Sequence, residues 1–265
     1  MAVYVAFSDE ADVGSKDGEF VVCGYVAAET EWPWVARAWQ ERVLDGPPKI
    51  PYLHTNALKT LEWQQRHGIG PNDAENRISE AVRVLASMGR MSALGSIIRK
   101  SDLDVFSQHF GKKKKVPLGL NEPDYPCFIA YAVLVLAEVY KIDPSVERVD
   151  FVVSRKQKIT HHLNGFKDDI KEWLETDYPF LASMVGGLIP ASMEDQLPLQ
   201  AADLLGWHIQ RNAADRLDII GYKRLKALVD APGTVFEWKR SHLEEILAGS
   251  LLKLRLREGQ YGGSE

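Results

Sequence analysis

The connection between the first two apolar runs limits the fold more than any other feature of the sequence. Val3–Phe7 is continuously apolar and is followed by the acids Asp9 and Glu10, a pattern typical of a buried strand that ends at a polar edge. A second β-prone run covers Phe20–Ala28. Residues 12–18 between the two runs are too few for a helical crossover, so the sequence predicts that the two strands are antiparallel.

The remaining chain alternates predicted strands with predicted helices. Strands are predicted over 91–98, 148–153 and 183–189, and helices over 32–43, 73–88, 102–110, 125–140, 160–175 and from 198 onward. Three antiparallel strands followed by this alternation are typical of a ribonuclease H-like fold, so the predicted class is α/β with a mixed sheet flanked by helices. We expect one domain over 1–215 with a helical insertion at about 30–90, and a helical extension over 216–265 packed on it.

Composition argues against several classes of protein. The 265 residues are 45% hydrophobic and 26% charged, as in an ordinary globular protein. Because no uninterrupted apolar stretch approaches about 18 residues and the start lacks a secretory pattern, we expect a cytoplasmic protein without a membrane partner. A net charge of −5 argues against a protein that coats nucleic acid through bulk charge. Cys23 and Cys127 lie in separate apolar runs, which predicts two buried thiols.

A late predicted helix carries an acid where burial is costly. Pro198 suits the first turn of this helix, and at 3.6 residues per turn Gln200, Asp203 and Trp207 share one face. Asp203 lies too far inside the helix to cap it and has leucines beside it, so it needs a hydrogen-bond donor, a cation or a metal ion. His208 lies five residues further on, off that face, and is excluded as a second ligand.

Asp9 and Asp203 occupy positions that a ribonuclease H-like fold uses for metal chemistry. Enzymes with this fold gather acids from the first strand, a later strand end and a late helix around magnesium, which activates a water and stabilises the leaving oxygen. Two carboxylates brought together would repel each other without a cation. The alternative interpretation is structural: Asp9 and Glu10 are turn residues after a strand, and Asp203 pairs with a buried arginine or lysine.

Two short motifs resemble a known family. Phe-Ser-Asp-Glu-Ala at 7–11 and Gln-Ala-Ala-Asp-Leu-Leu at 200–205 resemble the Asp-Glu and Gln-x-x-Asp signatures of the prokaryotic family filed as domain of unknown function 3800. Tyr-Leu-His-Thr at 52–55 resembles its short histidine segment, and Val-Asp-Phe-Val-Val at 149–153 its later strand. The resemblance covers about residues 3–212, and it implies a ribonuclease H-like fold and metal-dependent nuclease activity.

The resemblance also implies roles for individual residues. Asp9 and Asp203 would hold Mg or Mn, and Glu10 would assist them. Gln200 would orient the substrate or a water, and His54 would transfer a proton or bind the metal. The sequence therefore predicts a divalent-metal-dependent nuclease that hydrolyses phosphodiester bonds.

Ser154 marks a departure from that family. The family commonly has an acid after the later strand, where this chain has Ser154. Serine brings no negative charge, so a two-metal site would be weakened. Asp150 lies roughly 13 Å back along a strand and is no easy substitute. Glu10, Glu194 or Asp195 would compensate if their loops fold over the site.

Basic residues are candidates for contact with the phosphates of a nucleic acid. A four-lysine run and two residues after the predicted strand at 148–153 carry these charges, although lysine runs are often simply solvated. The candidates are Lys112, Lys113, Lys114, Lys115, Arg155 and Lys156.

Two further functions remain open from the sequence. One is a catalytically weakened or inactive ribonuclease H-like module, in one version a homodimer, that binds nucleic acid or a protein partner through the lysine run and the tryptophan-rich helix with Trp32, Trp34 and Trp39. The other is a metal-dependent hydrolase of a smaller phosphorylated substrate. Ser154 favours the module, whereas convergence of the acids would favour the nuclease.

Overall fold

Six strands form one mixed sheet at the centre of the protein. The computed structural model describes residues 2–12, 14, 17–105, 108, 122–155, 163–175, 178–229 and 234–245. The strands are β1 (Val3–Asp12), β2 (Glu19–Ala28), β3 (Ser92–Arg99), β4 (Arg148–Ser154), β5 (Val185–Ala191) and β6 (Thr234–Glu237). In space they follow the order β5–β4–β1–β2–β3–β6.

The strand directions confirm the predicted fold class. β2 is antiparallel to both β1 and β3, whereas β4 is parallel to β1 and β5 is parallel to β4. Three antiparallel strands thus continue into parallel strands reached through helices, which is a ribonuclease H-like arrangement of the α/β class. The predicted third, fourth and fifth strands match β3, β4 and β5 to within two residues at each end.

β6 is a feature that the sequence did not predict. It runs parallel to β3 at the edge of the sheet and comes from the region predicted to be purely helical. The strand has only four residues, which are too few for a period-2 pattern to stand out. Part of the chain after 215 therefore extends the central sheet.

Helices cover both faces of the sheet. They are α1 (Trp32–Trp39), α2 (Thr55–Leu58), α3 (Leu61–His67), α4 (Pro71–Ala86), α5 (Asp124–Ile142), α6 (Leu163–Glu175), α7 (Pro179–Ser183), α8 (Leu197–Ala213) and α9 (Ile219–Val229). The predicted helix over 102–110 begins as a 3-10 turn, Lys100–Leu103, and lies partly outside the described residues.

Alternate residues of β2 enter two separate hydrophobic cores. Val21 and Tyr25 join the core beneath α8, whereas Phe20 and Val22 join the core beneath α5. Because successive side chains of a strand point to opposite faces, the two cores lie on opposite faces of the sheet. The sheet therefore separates α8, which carries Asp203, from α5.

α5 is long and apolar enough to cross a membrane by length and composition alone. It packs on β2 and β3 and contributes Phe128, Tyr131 and Val135 to the core. Buried core helices pass the same test of length and composition, and the packing of α5 is that of a core helix.

The tryptophan-rich helix α1 divides its aromatic residues between core and surface. Trp32 and Trp39 are buried, whereas Trp34 is 65% exposed with the guanidinium carbon of Arg37 5.5 Å from its ring centroid. Two of the three rings therefore pack in the core, and only Trp34 is available at the surface. The cysteines are both buried thiols, as predicted.

Gly24 permits a close approach of β1 and β2 beside Asp9. It lies opposite Ser8, and a Cβ at this position would overlap the Phe7 carbonyl oxygen. We expect Gly24→Ala to lower the free energy of unfolding by about 3 kcal/mol, since backbone rather than a flexible side chain is in the way. Gly89→Ala is the control, because a Cβ there meets nothing within 4 Å. Urea denaturation that gives equal losses for both variants would contradict this packing.

His208 on α8 should make the stability of the protein depend on pH. Its Nδ1 hydrogen-bonds the Leu204 carbonyl oxygen at 2.8 Å, and its buried Nε2 has no hydrogen-bond partner among the described residues. Burial lowers the pKa of His208 from 6.5 to about 4. The unfolded chain therefore binds this proton at higher pH than the folded protein does. We expect the free energy of unfolding to fall by about 3 kcal/mol as pH drops from about 6.5 to about 4.

The variant His208→Asn separates this effect from other titrations. Its amide can donate to the Leu204 carbonyl oxygen but does not titrate, so we expect a flatter pH dependence. Urea denaturation across this pH range is the measurement. The same loss of stability in variant and wild type would assign the dependence to other groups.

Candidate active site

A cavity of about 230 Å³ opens where β1 and β4 end beside α8. β1 and β4 are parallel neighbours, so their carboxyl ends meet at the same edge of the sheet. Four of the predicted site residues lie in its wall, together with Ser154 and Trp207. These four are Asp9, Glu10, His54 and Asp203. We refer to this space as the acid cavity.

Asp9 is buried within β1, opposite Cys23 of β2, with 6% of its surface exposed, so it is a strand residue and not the turn residue of the structural interpretation. Burial raises the pKa of Asp9 well above its usual range, and the negative charge of Asp203 raises it further. Hydrogen bonds from the Glu10 backbone N–H and from the Ser154 hydroxyl act in the opposite direction but do not offset these effects. A nearby cation would therefore favour the ionised form of Asp9.

Asp203 meets a hydrogen-bond donor, one of the three kinds of partner that the sequence predicted for it. Its Oδ2 accepts hydrogen bonds from the backbone N–H and the hydroxyl of Thr55, both at 2.7 Å. Thr55 begins the short helix α2, so the Asp203 carboxylate satisfies one of the N–H groups left unpaired at a helix start. Thr55 is therefore the partner of Oδ2, rather than the buried arginine or lysine of the structural interpretation.

His54 lies directly before this contact. Its Nδ1 is 3.6 Å from Asp203 Oδ1, which is beyond a hydrogen bond, and this buried nitrogen has no hydrogen-bond partner among the described residues. Asp203 thus has one oxygen fixed by Thr55 and the other facing His54.

The donor set of the acid cavity fits a hydrated divalent cation. Within the described parts of the chain, no group of three or more His, Cys, Asp or Glu side chains is arranged to hold a metal ion. Mg²⁺, however, commonly keeps several waters and uses only one or two carboxylates. Asp9 and Asp203 supply two oxygen ligands whose repulsion a cation would relieve. The residues fit such an ion but not a closed cage of protein ligands.

Gln200 lies in the scaffold, which corrects the predicted contact with substrate or water. Its side chain is fully buried, and its Oε1 accepts hydrogen bonds at 2.9 Å from Trp39 Nε1 and from the Leu53 backbone N–H. Its Nε2 donates to the Met193 carbonyl oxygen at 2.8 Å. These three partners occupy the amide and leave it no access to the cavity.

The other predicted positions are either exposed or lie outside the described residues. Arg155 is an exposed turn residue directly after Ser154. Asp195 is exposed and accepts a hydrogen bond from Ser192, so it does not fold over the cavity. The positions Lys112, Lys113, Lys114, Lys115 and Lys156 lie outside the described residues.

Ser154 lies in the acid cavity wall at the end of β4. It acts on Asp9 through a hydrogen bond that lowers the pKa of that acid. Ser154 adds no charge to the cavity, but it is a hydrogen-bond partner of Asp9. Its position, one residue after an apolar strand, was the signal available in the sequence.

A larger cavity of about 540 Å³ is lined by residues of β3, β6, α9 and the C-terminal end of α8. Both arginines in its wall pair with acids: Arg99 with Glu19 at 4.0 Å, and Arg240 with Asp104 at 2.8 Å. The acid cavity instead holds Asp9, which is buried, beside Asp203, whose negative charge raises the pKa of Asp9, and it is therefore the candidate active site.

Comparison with known proteins finds a structural match of low sequence identity and no sequence match. No protein-family model matches the chain, and no curated protein matches it. Among solved structures, a chain in the complex of PCNA and RNase HII from Archaeoglobus fulgidus is similar, with a TM-score of 0.34 and 12% identity. The likeness covers 93% of this chain and 89% of that chain. At this TM-score it carries no argument about activity.

Asp9→Asn should stabilise the protein when divalent ions are removed. Asparagine keeps the shape and the hydrogen-bond acceptor but removes the buried charge and its repulsion with Asp203. Because the pKa of Asp9 is raised in the folded protein, its ionisation opposes folding at neutral pH and this cost disappears in acid. We expect a Tm in EDTA at neutral pH that is higher by at least about 2 °C.

Exposed Asp195→Asn is the matched control and should leave Tm unchanged. Added Mg²⁺ should raise the Tm of the wild type more than that of Asp9→Asn. A lower Tm for Asp9→Asn in EDTA would show that the acid pair does not repel as described.

Proposed function

We propose that the protein is a divalent-metal-dependent nuclease that hydrolyses phosphodiester bonds in nucleic acid. The observation that carries this proposal is the pairing of Asp9 and Asp203 in one cavity, where burial and mutual repulsion raise the pKa of Asp9. Such a pair is costly to fold and useful for holding a cation. The ribonuclease H-like sheet supports the proposal by bringing a first-strand acid beside a late-helix acid.

The residues of the acid cavity would have different roles in catalysis. Asp9 and Asp203 would hold Mg or Mn, with Ser154 and Thr55 orienting them through hydrogen bonds. The bound ion would supply activation of a water and stabilisation of the leaving oxygen. His54, with a free Nδ1 beside Asp203, is suited to accept or return a proton.

We also propose that the chain belongs to the family filed as domain of unknown function 3800. Its Asp-Glu motif supplies Asp9 and Glu10, and its Gln-x-x-Asp motif supplies Asp203, to the same cavity. The glutamine of the second motif fits this proposal through a role in the scaffold, since Gln200 joins three segments around α8.

A second candidate function is a non-catalytic module that binds nucleic acid or a protein partner. It is favoured by Ser154, which occupies the end of β4 without adding a charge, and by the shortage of metal-holding groups among the described residues. Such a module would bind without cleaving.

Asp203→Asn should abolish cleavage while preserving the fold. Asparagine can still accept the Thr55 hydrogen bonds through its amide oxygen, but it loses the charge that would hold the ion. We expect Mg²⁺- or Mn²⁺-dependent cleavage of single- or double-stranded DNA or RNA to fall by at least about a hundredfold.

Asp195→Asn serves as the control, since it removes an exposed carboxylate outside the acid cavity. Cleavage that persists in Asp203→Asn would remove that acid from the mechanism. Binding without cleavage by the wild type under all metal conditions would favour the non-catalytic module.

A further inference from the structure

Two cations are held against Trp207 at the wall of the acid cavity. The Nζ atom of Lys59 lies 4.6 Å from the centroid of the Trp207 ring, and the Cζ atom of Arg211 lies 4.5 Å from it. Trp207 shares a face of α8 with Asp203 and lines the cavity. Its Nε1 donates a hydrogen bond to Asn56 Oδ1 at 3.0 Å, which fixes the ring. The two positive charges therefore have defined positions beside a ring that lines the acid cavity.

The charges of this pair are only partly neutralised. Lys59 pairs with Glu75 at 2.9 Å, but Glu75 also pairs with Arg224 at 2.8 Å. Among the described residues, Arg211 has no carboxylate partner and no hydrogen bond from its guanidinium; its recorded contact is with the Trp207 ring. A guanidinium carries five N–H donors in a fork that matches phosphate oxygens. Arg211 is thus a positioned cation with unused donors.

A phosphate-rich substrate needs cations beside this cavity because the cavity is acidic. Four acids line it: Asp9, Glu10, Asp12 and Asp203. Asp12 is paired with Lys100, and the negative charge that Asp9 and Asp203 bring to the cavity would repel an approaching strand. An ion held by Asp9 and Asp203 would neutralise the charge of the phosphate that reacts. The neighbouring phosphates of a strand would need protein partners of their own.

We propose that Lys59 and Arg211, held in place by Trp207, bind a phosphate next to the one that is cleaved. The substrate is therefore a polynucleotide strand rather than a small phosphate monoester, which has no second phosphate to offer. This inference rests on the proposed nuclease function and specifies its substrate class. The two residues proposed to contact the phosphate are 152 positions apart in sequence, and both contact the Trp207 ring.

Binding of a labelled single-stranded oligonucleotide tests the inference without any cleavage. Fluorescence anisotropy in EDTA, repeated at several salt concentrations, gives the affinity and its dependence on salt. We expect Arg211→Gln to weaken binding by about tenfold and to reduce the slope of log affinity against log salt by about 0.7, the value for one lost phosphate contact. Arg211→Lys keeps the charge and should retain most of the slope. Lys59→Gln should act in the same direction as Arg211→Gln.

Arg37→Gln is the matched control. Arg37 also lies over a tryptophan ring, that of Trp34, but on the exposed side of α1 and away from the acid cavity wall. Its loss should leave both affinity and salt slope unchanged. A role of Arg211 in packing alone would lower Tm in Arg211→Gln while leaving the salt slope as in the wild type, and this result would overturn the inference. Unchanged binding in both Arg211→Gln and Lys59→Gln would overturn it as well.

A mononucleotide competitor tests the substrate class. If the pair binds a neighbouring phosphate of a strand, the affinity of the mononucleotide, obtained from its competition with the labelled oligonucleotide, should be the same for the wild type and for Arg211→Gln. An equal loss of mononucleotide and oligonucleotide affinity in Arg211→Gln would assign the pair to a single phosphate and overturn the proposal of a strand. Retained cleavage in Asp203→Asn would remove the proposed nuclease mechanism, but the phosphate pair would still be judged by the binding data alone.

Discussion

Two hydrogen bonds from Thr55 to Asp203 join the helical insertion to the late helix, and the arrangement of the candidate site depends on them. They occupy Oδ2 and leave Oδ1 to face His54. The same contact starts the short helix α2, which carries Asn56 toward Trp207 and is followed by Lys59. The insertion thus supplies one wall of a cavity whose other walls belong to the sheet and to α8.

The acid cavity also shows how the fold tolerates an unfavourable pair of charges. The two carboxylates belong to elements that are firmly held, β1 in the middle of the sheet and α8 over one of its two cores. Hydrophobic burial on both faces of the sheet can offset a local electrostatic cost of a few kcal/mol. Ser154 and Thr55 reduce that cost by hydrogen bonding to Asp9 and Asp203. The hydrophobic cores on both faces of the sheet therefore hold together two acids that repel each other.

The sequence predicts the strands and helices, because these depend on local pattern. The structure adds the hydrogen-bond partners of the site residues, because these are distant in sequence. Alternation and helical spacing predict the main strands and helices because each pattern is complete within one element. The ends of β1 and the face of α8 likewise place Asp9 and Asp203. Thr55 could not be predicted as the partner of Asp203, since the two residues lie 148 positions apart. Gln200 was assigned to the substrate because helical spacing gives a residue's face but not its hydrogen-bond partners.

The buried amide of Gln200 has a consequence for how loss-of-function alleles are interpreted. One side chain connects α1, the segment before α2 and the segment before α8. An allele at this position and an allele at Asp203 would look alike in a screen for activity, although the first acts on assembly of the chain and the second on an acid of the cavity. Protein abundance in the cell separates the two kinds of allele, because only a failure of assembly exposes the chain to degradation.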